Sequence, residues 1–346
     1  MDKKKDIRAL SKDEIRDFFV ENGDQSFRGN QVYEWLWSKN AHTFDDMTNI
    51  SKETRKMLQD NFVINHIEVD NIQRSSDGTV KNAVRLHDGL IVESVLIPTE
   101  SRTTACVSSQ VGCSLDCQFC ATARLKKMRN LNPDEIYDQV AAINKESLLY
   151  YNHKLSNIVF MGMGEPLMNY NNVLKAIEKI TSEEGLGMSP KRITVSTSGI
   201  PKMIKKLADD EVKFNLAVSL HSAIDEVRSR IMPFSKAFPL KDLKESLEYW
   251  YAKTGSRVSY EYVVWEGIND DREAINALVK FCKHIPCKVN LIEYNPIDDG
   301  EFQQAKSQAI DDYISILEMN DIIVNVRRSR GKDIDAACGQ LANKKS

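Results

Sequence analysis

Three cysteines fall within eight residues, Cys113-x-x-x-Cys117-x-x-Cys120, in a chain where seven cysteines among 346 residues put about 0.16 in a random window of that length. Three readings are open. Positions i, i+4 and i+7 share one helix face, so three small apolar thiols there can simply be core. A structural zinc wants four ligands, usually as paired C-x-x-C knuckles. No second pair exists, and only Cys282 and Cys287 come near, in the wrong spacing. Three thiolates on a cluster of four irons leave one iron open, and an open iron is a place for substrate or cofactor to bind. Gly112 and the loop-like surroundings favour the cluster, which is then a reactive centre rather than an electron wire.

Other residues invite chemistry in the same way. Gly162-x-Gly164-Glu165-Pro166 combines exposed backbone with an acid and suits a cationic ammonium group, although glycines after a strand often only make a tight turn. Ser196, Ser219-Leu220-His221 and Asn295 offer hydrogen-bonding groups, and strand-end capping explains each of them singly as well. Cys106 and Glu93 fall in strand-like runs, where a lone cysteine is usually core and a glutamate usually solvated. Cys338 stands in Asp335-Ala336-Ala337-Cys338-Gly339. Basic residues cluster at Arg124, Lys126, Lys127 and Arg129, and again at Arg327, Arg328, Arg330 and Lys332.

Nearly all of these residues lie where a predicted strand ends. Beyond residue 100, short β-branched runs alternate with helical segments, a pattern of βα units and a parallel sheet. Strands are predicted at 103–108, 157–161, 192–197, 214–220, 258–264, 288–294 and 322–326, and helices at 133–149, 172–184, 201–208, 240–253, 272–283 and 307–319. About six βα units make a partial or open barrel, whose C-terminal strand ends collect ligands and chemistry. The N-terminal segment is patterned instead for helices, at Leu10, Ile15, Phe18 and Phe19 and then Val32, Trp35 and Leu36, with Ser11 ahead of Lys12-Asp13-Glu14 as an N-cap. Lys3 to Lys5 are either phosphate contacts or a solvated end. Runs at 80–86 and 91–97 flank His87-Asp88-Gly89, a hairpin signal, and Ser75-Ser76-Asp77-Gly78 reads as a linker before it. The expected fold is α/β: a partial (βα)6 barrel over 101–346, a small N-terminal helical accessory domain over 1–70, and a short β-hairpin linker region over 71–100.

Apolar residues at 42% and charged residues at 28% exclude a disordered, collagenous or disulfide-dense chain. A net charge of -3 creates no global field for a polyanion, so any nucleic-acid surface must be local. The start, MDKKKDIRALSKDEIRDFF, has no apolar segment behind its basic residues, and no apolar run approaches the roughly 18 to 20 residues that span a bilayer. A cytoplasmic protein without membrane contact is expected, where thiols stay reduced and serve as ligands, catalysts or core.

The C-x-x-x-C-x-x-C run, with Phe119 before Cys120, resembles the radical S-adenosylmethionine (SAM) superfamily. Five further stretches narrow this: TACVSSQVGC at 104–113, MGMGEPL at 161–167, NLIEYNP at 290–296, DIDAACGQL at 333–341 and FRGNQVYEWLW at 27–37. Together they resemble the RlmN/Cfr family of RNA methyltransferases, from about residue 10 to 342. Pro166 after GMGE, Val111 before Gly112, and the FRGNQVYEWLW stretch favour its adenine-C2 branch over its adenine-C8 branch. The loop from Ala123 to Leu131 departs from the family in carrying extra charge where glycine is common.

The resemblance implies a 4Fe-4S cluster on Cys113, Cys117 and Cys120, and two SAM molecules per turnover. Gly164, Glu165, Ser196, Ser219, Leu220, His221 and Asn295 would hold SAM. It further implies Cys338 as the methyl-accepting nucleophile, Cys106 as the thiol that resolves the RNA adduct by forming a disulfide, and Glu93 as proton acceptor. The implied substrates are an adenosine of 23S rRNA and one of tRNAs, methylated at C2, with a flavodoxin-like electron donor and a monomeric enzyme. C8 methylation, or an RNA-binding protein whose metal only staples a loop, are the alternatives. Reversing Lys126 and Lys127 to Glu is expected to weaken RNA binding across a salt series while leaving iron content intact; unchanged binding would remove these lysines from the RNA surface.

Overall fold

The computed structural model describes residues 4–298 and 300–343; Lys3, in the N-terminal basic run, lies outside them. Its N-terminal module contains strand β1 (Lys5–Asp6), helices α1 (Lys12–Glu21), α2 (Phe27–Trp37) and α3 (Lys52–Asn61), and β2 (Phe62–Val63), which pairs in parallel with β1. Helix α1 starts as the sequence predicts. Ser11 accepts from the Glu14 N–H while the Glu14 carboxylate accepts from the Ser11 N–H, so two otherwise unpaired donors are satisfied reciprocally. The stretch FRGNQVYEWLW is α2 itself, burying Val32, Tyr33, Leu36 and Trp37 against Ile15 and Phe19 of α1.

A single ten-stranded sheet follows. Its antiparallel part is β3 (Glu68–Arg74), β4 (Val80–Arg85), β5 (Ile91–Thr99) and β6 (Arg102–Cys106). The Asp88-Gly89 hairpin between β4 and β5 forms as predicted. Ser75 to Gly78, in contrast, is the tight turn between β3 and β4 rather than a linker, so the extension is longer than one hairpin and continuous with the barrel sheet. Sequence patterning missed β3 because its residues are mostly exposed and lack clean alternation.

Short strands β7 (Gln110–Val111) and β8 (Arg129–Asn130) then pair with each other. The parallel part of the large sheet is β6, β9 (Asn157–Phe160), β10 (Ile193–Thr197), β11 (Asn215–Ser219), β12 (Val258–Val263), β13 (Cys287–Ile292) and β14 (Ile323–Arg327), each hydrogen-bonded to the next. The connections carry α4 (Pro133–Tyr151), α5 (Tyr170–Thr181), α6 (Pro201–Asp209), α7 (Asp225–Ile231) with α8 (Leu240–Thr254), α9 (Arg272–Cys282) and α10 (Ser307–Met319). These are the six predicted βα units plus α7, whose short, polar sequence gave no apolar period. Interior strands such as β12 are buried along their whole length, as helices covering a parallel sheet require.

The sheet runs in sequence order from β3 to β14 and does not close on itself. Instead, the chain after β14 returns across the gap. The Gly331 N–H donates to Asp77 at 2.9 Å, the Ser76 N–H to Asp333 at 3.0 Å, and Lys81 to the Asp335 carbonyl at 3.4 Å. Among the described residues no helix is long and apolar enough to cross a membrane.

The N-terminal module is tied to α4 by Arg8, whose guanidinium meets Asp138 in a two-point pair at 2.8 and 2.9 Å and Asp134 at 3.3 Å, all buried. Removing one partner of such a pair leaves buried charge uncompensated. Arg8→Leu is therefore expected to cost about 3–5 kcal/mol in urea unfolding, with the N-terminal module losing protection first in hydrogen exchange.

Candidate active site

One cavity opens at the C-terminal ends of the parallel strands, and counting its open mouth it measures about 1600 Å³. Cys113, Cys117, Cys120, Gly164, Glu165, Ser196, Ser219, His221, Asn295, Cys106 and Cys338 all border it. Residues up to 232 positions apart in sequence thus converge because parallel strands end at one rim.

The three-cysteine loop is held from several sides. Gly112 takes a positive φ of 74°, and a Cβ there would lie 2.4 Å from the Lys126 carbonyl oxygen. The Gln118 N–H donates to Ile231, and the Phe234 N–H to Asp116, each at 2.9 Å. Phe119 packs edge-on against His221 and tilts against Trp265. Burial pushes the Cys113 thiol up to about 11 and those of Cys117 and Cys120 upward as well, with Cys120 and Cys113 adding to the effect at Cys117. Such thiols become thiolates only beside a strong positive charge, which a coordinated metal supplies. Among the described residues, no three His, Cys, Asp or Glu side chains close around a single ion. Three thiols spread along one cavity wall, with no fourth protein ligand in the run, suit a cluster offering an iron to each and one iron to a ligand.

Beside this loop, Gly164 has φ 96°, and a Cβ there would come within 2.5 Å of the Gln110 side chain. Gln110 accepts from the Glu165 N–H at 2.9 Å and donates to Asn130 at 2.8 Å, so it braces the glycine turn on β8. The Glu165 carboxylate accepts from the Ser198 N–H at 2.7 Å and from the Leu167 N–H at 3.0 Å. Burial raises its pKa against these bonds. A buried carboxylate on a cavity wall attracts a cationic group.

The Asn295 amide nitrogen donates to the carbonyls of Glu293 and Cys338, while its side-chain oxygen is buried without a partner. An orphan acceptor on a cavity wall fits an amino group such as that of adenine. His221 adopts φ 55°, and its Nδ1 accepts from the Val263 N–H at 3.1 Å. Burial pushes its pKa down to about 3, so the ring is neutral and offers Nε2–H.

Two expected residues are placed differently. Leu220 is fully buried behind the rim and presents no side chain to the cavity. Glu93, on β5, lies outside the lining, pairs with Lys81 at 3.4 Å and accepts from the Ala342 and Asn343 N–H groups at 2.8 and 3.2 Å.

Cys338 rides on the segment that crosses the sheet gap. The Gly339 carbonyl accepts from the Ala121 N–H at 2.7 Å and the Leu341 carbonyl from Thr122 at 2.7 Å, which sets the segment directly against the loop after Cys120. Cys338 is accessible from the cavity, yet protein around it pushes its thiol up to about 11, opposed by Arg327. Cys106 is buried, with its thiol pushed up to about 12 by burial and then by Cys338.

Several of the basic residues are already engaged. Arg129 pairs with Glu135 at 2.7 Å and Asp88 at 2.6 Å, Lys332 with Glu293 at 2.7 Å, and Arg327 with Glu261 at 2.9 Å. Arg124 and Lys126 stand exposed, and Lys127 half-buried. Cys282 closes α9, and Cys287 donates to its carbonyl at 3.5 Å, an arrangement of helix-end packing. Sequence reasoning missed Gln110 and Glu261 as parts of the site and read Arg327 only as one of the basic residues before Cys338. Gln110 and Arg327 were visible as polar residues in otherwise motif-like stretches, but their direction was not.

An open parallel barrel with a three-thiol loop, a glycine-glutamate turn and two further cysteines at one rim is the radical SAM architecture. Residues 5–64 match the ribosomal RNA large subunit methyltransferase N-terminal domain, and residues 107–279 the radical SAM superfamily. A relative from Flavobacterium johnsoniae, named a probable dual-specificity RNA methyltransferase RlmN, is 79% identical over 343 residues, covering 99% of this chain and 98% of its own. A relative of the same name from Cytophaga hutchinsonii is 55% identical, covering 99% and 94%. The crystal structure of a radical SAM methyltransferase from Sphaerobacter thermophilus superposes with a TM-score of 0.92 at 35% identity, covering 98% of this chain and 100% of the other. The chain belongs to the RlmN family of the radical SAM superfamily, and the superfamily's 4Fe-4S cluster and SAM are its cofactors.

Gly164→Ala adds a side chain where both φ and space forbid it. A left-handed backbone costs a non-glycine residue about 1–2 kcal/mol, so Gly164→Ala is expected to lose at least about that much stability in urea unfolding, and its displaced turn to weaken SAM binding in calorimetric titration while iron content is retained.

Proposed function

We propose that this protein is a radical SAM RNA methyltransferase that methylates C2 of an adenosine in 23S rRNA and of an adenosine in tRNAs, consuming two SAM per turnover. The observation that carries the reading is the convergence of Cys106, Cys338 and the three-cysteine loop on one cavity. A binding protein whose metal only staples a loop has no use for the two additional cysteines.

Adenine C2 is an electron-poor carbon without a nucleophilic lone pair, so polar methyl transfer to it is unfavourable. Cys338 can accept the methyl instead, since a thiolate is a competent nucleophile. Cys113, Cys117 and Cys120 would hold the cluster, with Gly164, Glu165, Ser196, Ser219, the Leu220 backbone, His221 and Asn295 arranged for SAM. The cluster with SAM supplies a deoxyadenosyl radical able to take hydrogen from an S-methyl group. The Cys338 methylene radical would then bond to C2, leaving RNA attached to the protein; as C2 gives up its proton the adduct also gives up one electron, returning the one that the external reductant supplied for SAM cleavage. Cys106 releases it by forming a disulfide with Cys338. Glu93 is the proposed acceptor of the C2 proton on family resemblance. Its carboxylate is engaged by the Ala342 and Asn343 amides, so acting on C2 requires those residues to give way.

The proposed division is an RNA-docking module over 1–70, the antiparallel extension over 71–100, and the barrel with its catalytic segment over 101–346. Arg124, Lys126 and Lys127, beside the cavity, are proposed to contact phosphate and present a splayed-out base. The electron donor is a flavodoxin-like reductant and the enzyme works as a monomer in the cytoplasm.

Anaerobic reconstitution with iron and sulfide, followed by RNA product mapping, tests the reading. Wild-type protein is expected to bind four irons per chain and yield 2-methyladenosine. Cys338→Ala is expected to keep the iron and lose all methylation, and Cys106→Ala to trap RNA on the protein. Zinc in place of iron, or methylation by Cys338→Ala, would overturn it; 8-methyladenosine would reassign the carbon.

A further inference from the structure

Sequence patterning groups Arg327 with the surface basic residues, but it ends β14, and its side chain borders the cavity that holds Cys106 and Cys338. Its Nη1 donates to Glu261 at 2.9 Å and reaches the Met161 sulfur at 3.8 Å. The Met161 backbone in turn hydrogen-bonds the Cys106 thiol. Glu261 is itself fixed, accepting from Asn290 at 2.7 Å, while Asn290 accepts from Asn325 at 3.2 Å. These three stand opposite one another on β12, β13 and β14, so a polar row across adjacent strands ties the guanidinium in place.

We propose that Arg327 is a positioning residue for RNA release, its fixed guanidinium favouring attack by the Cys106 sulfur on Cys338 across the cavity that all three residues border. The inference rests on the roles proposed above for the two cysteines. In that step the Cys106 thiolate attacks the Cys338 sulfur of the adenine–CH2–S–Cys338 thioether. An S–S bond forms and the S–CH2 bond breaks. Its electron pair passes to the methylene carbon, which takes a proton and becomes the methyl group. The two sulfurs are oxidised by two electrons and the carbon is reduced by two, so no outside oxidant enters.

The attacking group must be thiolate, because the thiol is a poor nucleophile. The surroundings of Cys106 work against that. Burial and Cys338 both push its pKa up, and the Arg327 charge opposes them. Burial also disfavours the Arg327 charge, but Glu261 and the two cysteines outweigh it. The titratable and charged groups acting on Cys106, Cys338 and Arg327, besides one another, are Glu261 from β12 and Cys120 from the three-cysteine loop, which pushes the Cys338 thiol up.

The test uses the full chain, reconstituted with its cluster, in single turnover on an RNA hairpin carrying the target adenosine. Denaturing gels follow the covalent RNA adduct and its release across pH. Arg327→Gln is expected to accumulate adduct and release it about tenfold more slowly at a given pH, with the rate–pH curve displaced upward by about one unit. Arg327→Lys, which keeps the charge, is expected to recover part of that rate. Wild-type release and an unmoved pH curve in Arg327→Gln would overturn the inference. If that variant loses its iron, Glu261→Gln decides instead: the untethered guanidinium is expected to slow release, and wild-type release would overturn the proposal. Failure of Cys106→Ala to trap any adduct would instead refute the resolving role of Cys106, and the inference with it.

Discussion

The site depends on the return of the chain after β14 across the open edge of the sheet. A sheet that stops short of closing leaves a gap between its first and last parallel strands, and here that gap is bridged by backbone-to-carboxylate bonds from Gly331 to Asp77 and from Ser76 to Asp333. The bridging segment then docks on the loop after Cys120 through the Gly339 and Leu341 carbonyls. Cys338 lies between those two anchorages. Gly331 is needed at the crossing because its φ is 67° and a Cβ would lie 2.7 Å from that of Ala336. Closing the barrel and delivering Cys338 are one structural event.

Around that segment the electrostatics are arranged against free ionisation. The thiols of Cys106 and Cys338 are both pushed up by burial, and His221 is pushed down to neutrality. Burial of this kind keeps a thiol nucleophile in its inactive form until a cation or a bound ligand compensates. Arg327, tied to Glu261, opposes the rise at both thiols from within the protein itself. The same segment also occupies the Glu93 carboxylate through Ala342 and Asn343, so the placement of Cys338 and the availability of Glu93 are linked through one stretch of backbone.

Much of this was legible beforehand, and for physical reasons. Short apolar strands alternating with amphipathic helices admit few arrangements other than a parallel βα sheet, so the strand and helix positions of the barrel were recovered within a few residues. The Ser11-Glu14 capping box and the Asp88-Gly89 turn are local signals, and local signals survive tertiary packing. Strand β3 escaped because an exposed edge strand carries no clean alternation, and its turn at Ser75 to Gly78 then looked like a linker. The three-cysteine loop was legible because its density in thiols is so improbable by chance.

Residue types and spacing were enough to establish which chemistry is available: a thiol-held cluster, a glycine-glutamate turn after a strand, and cysteines left over. Only the tertiary structure could decide direction and company. Arg327 and Arg330 are two neighbouring arginines in the same basic stretch, yet one turns inward to Glu261 beside two thiols while the other reaches the Asp77 carbonyl at the outer turn. Glu93 and Glu165 are both buried carboxylates, but only Glu165 borders the cavity. Such differences arise from strand register and from contacts between residues far apart in the chain, and neither leaves a mark on the local sequence.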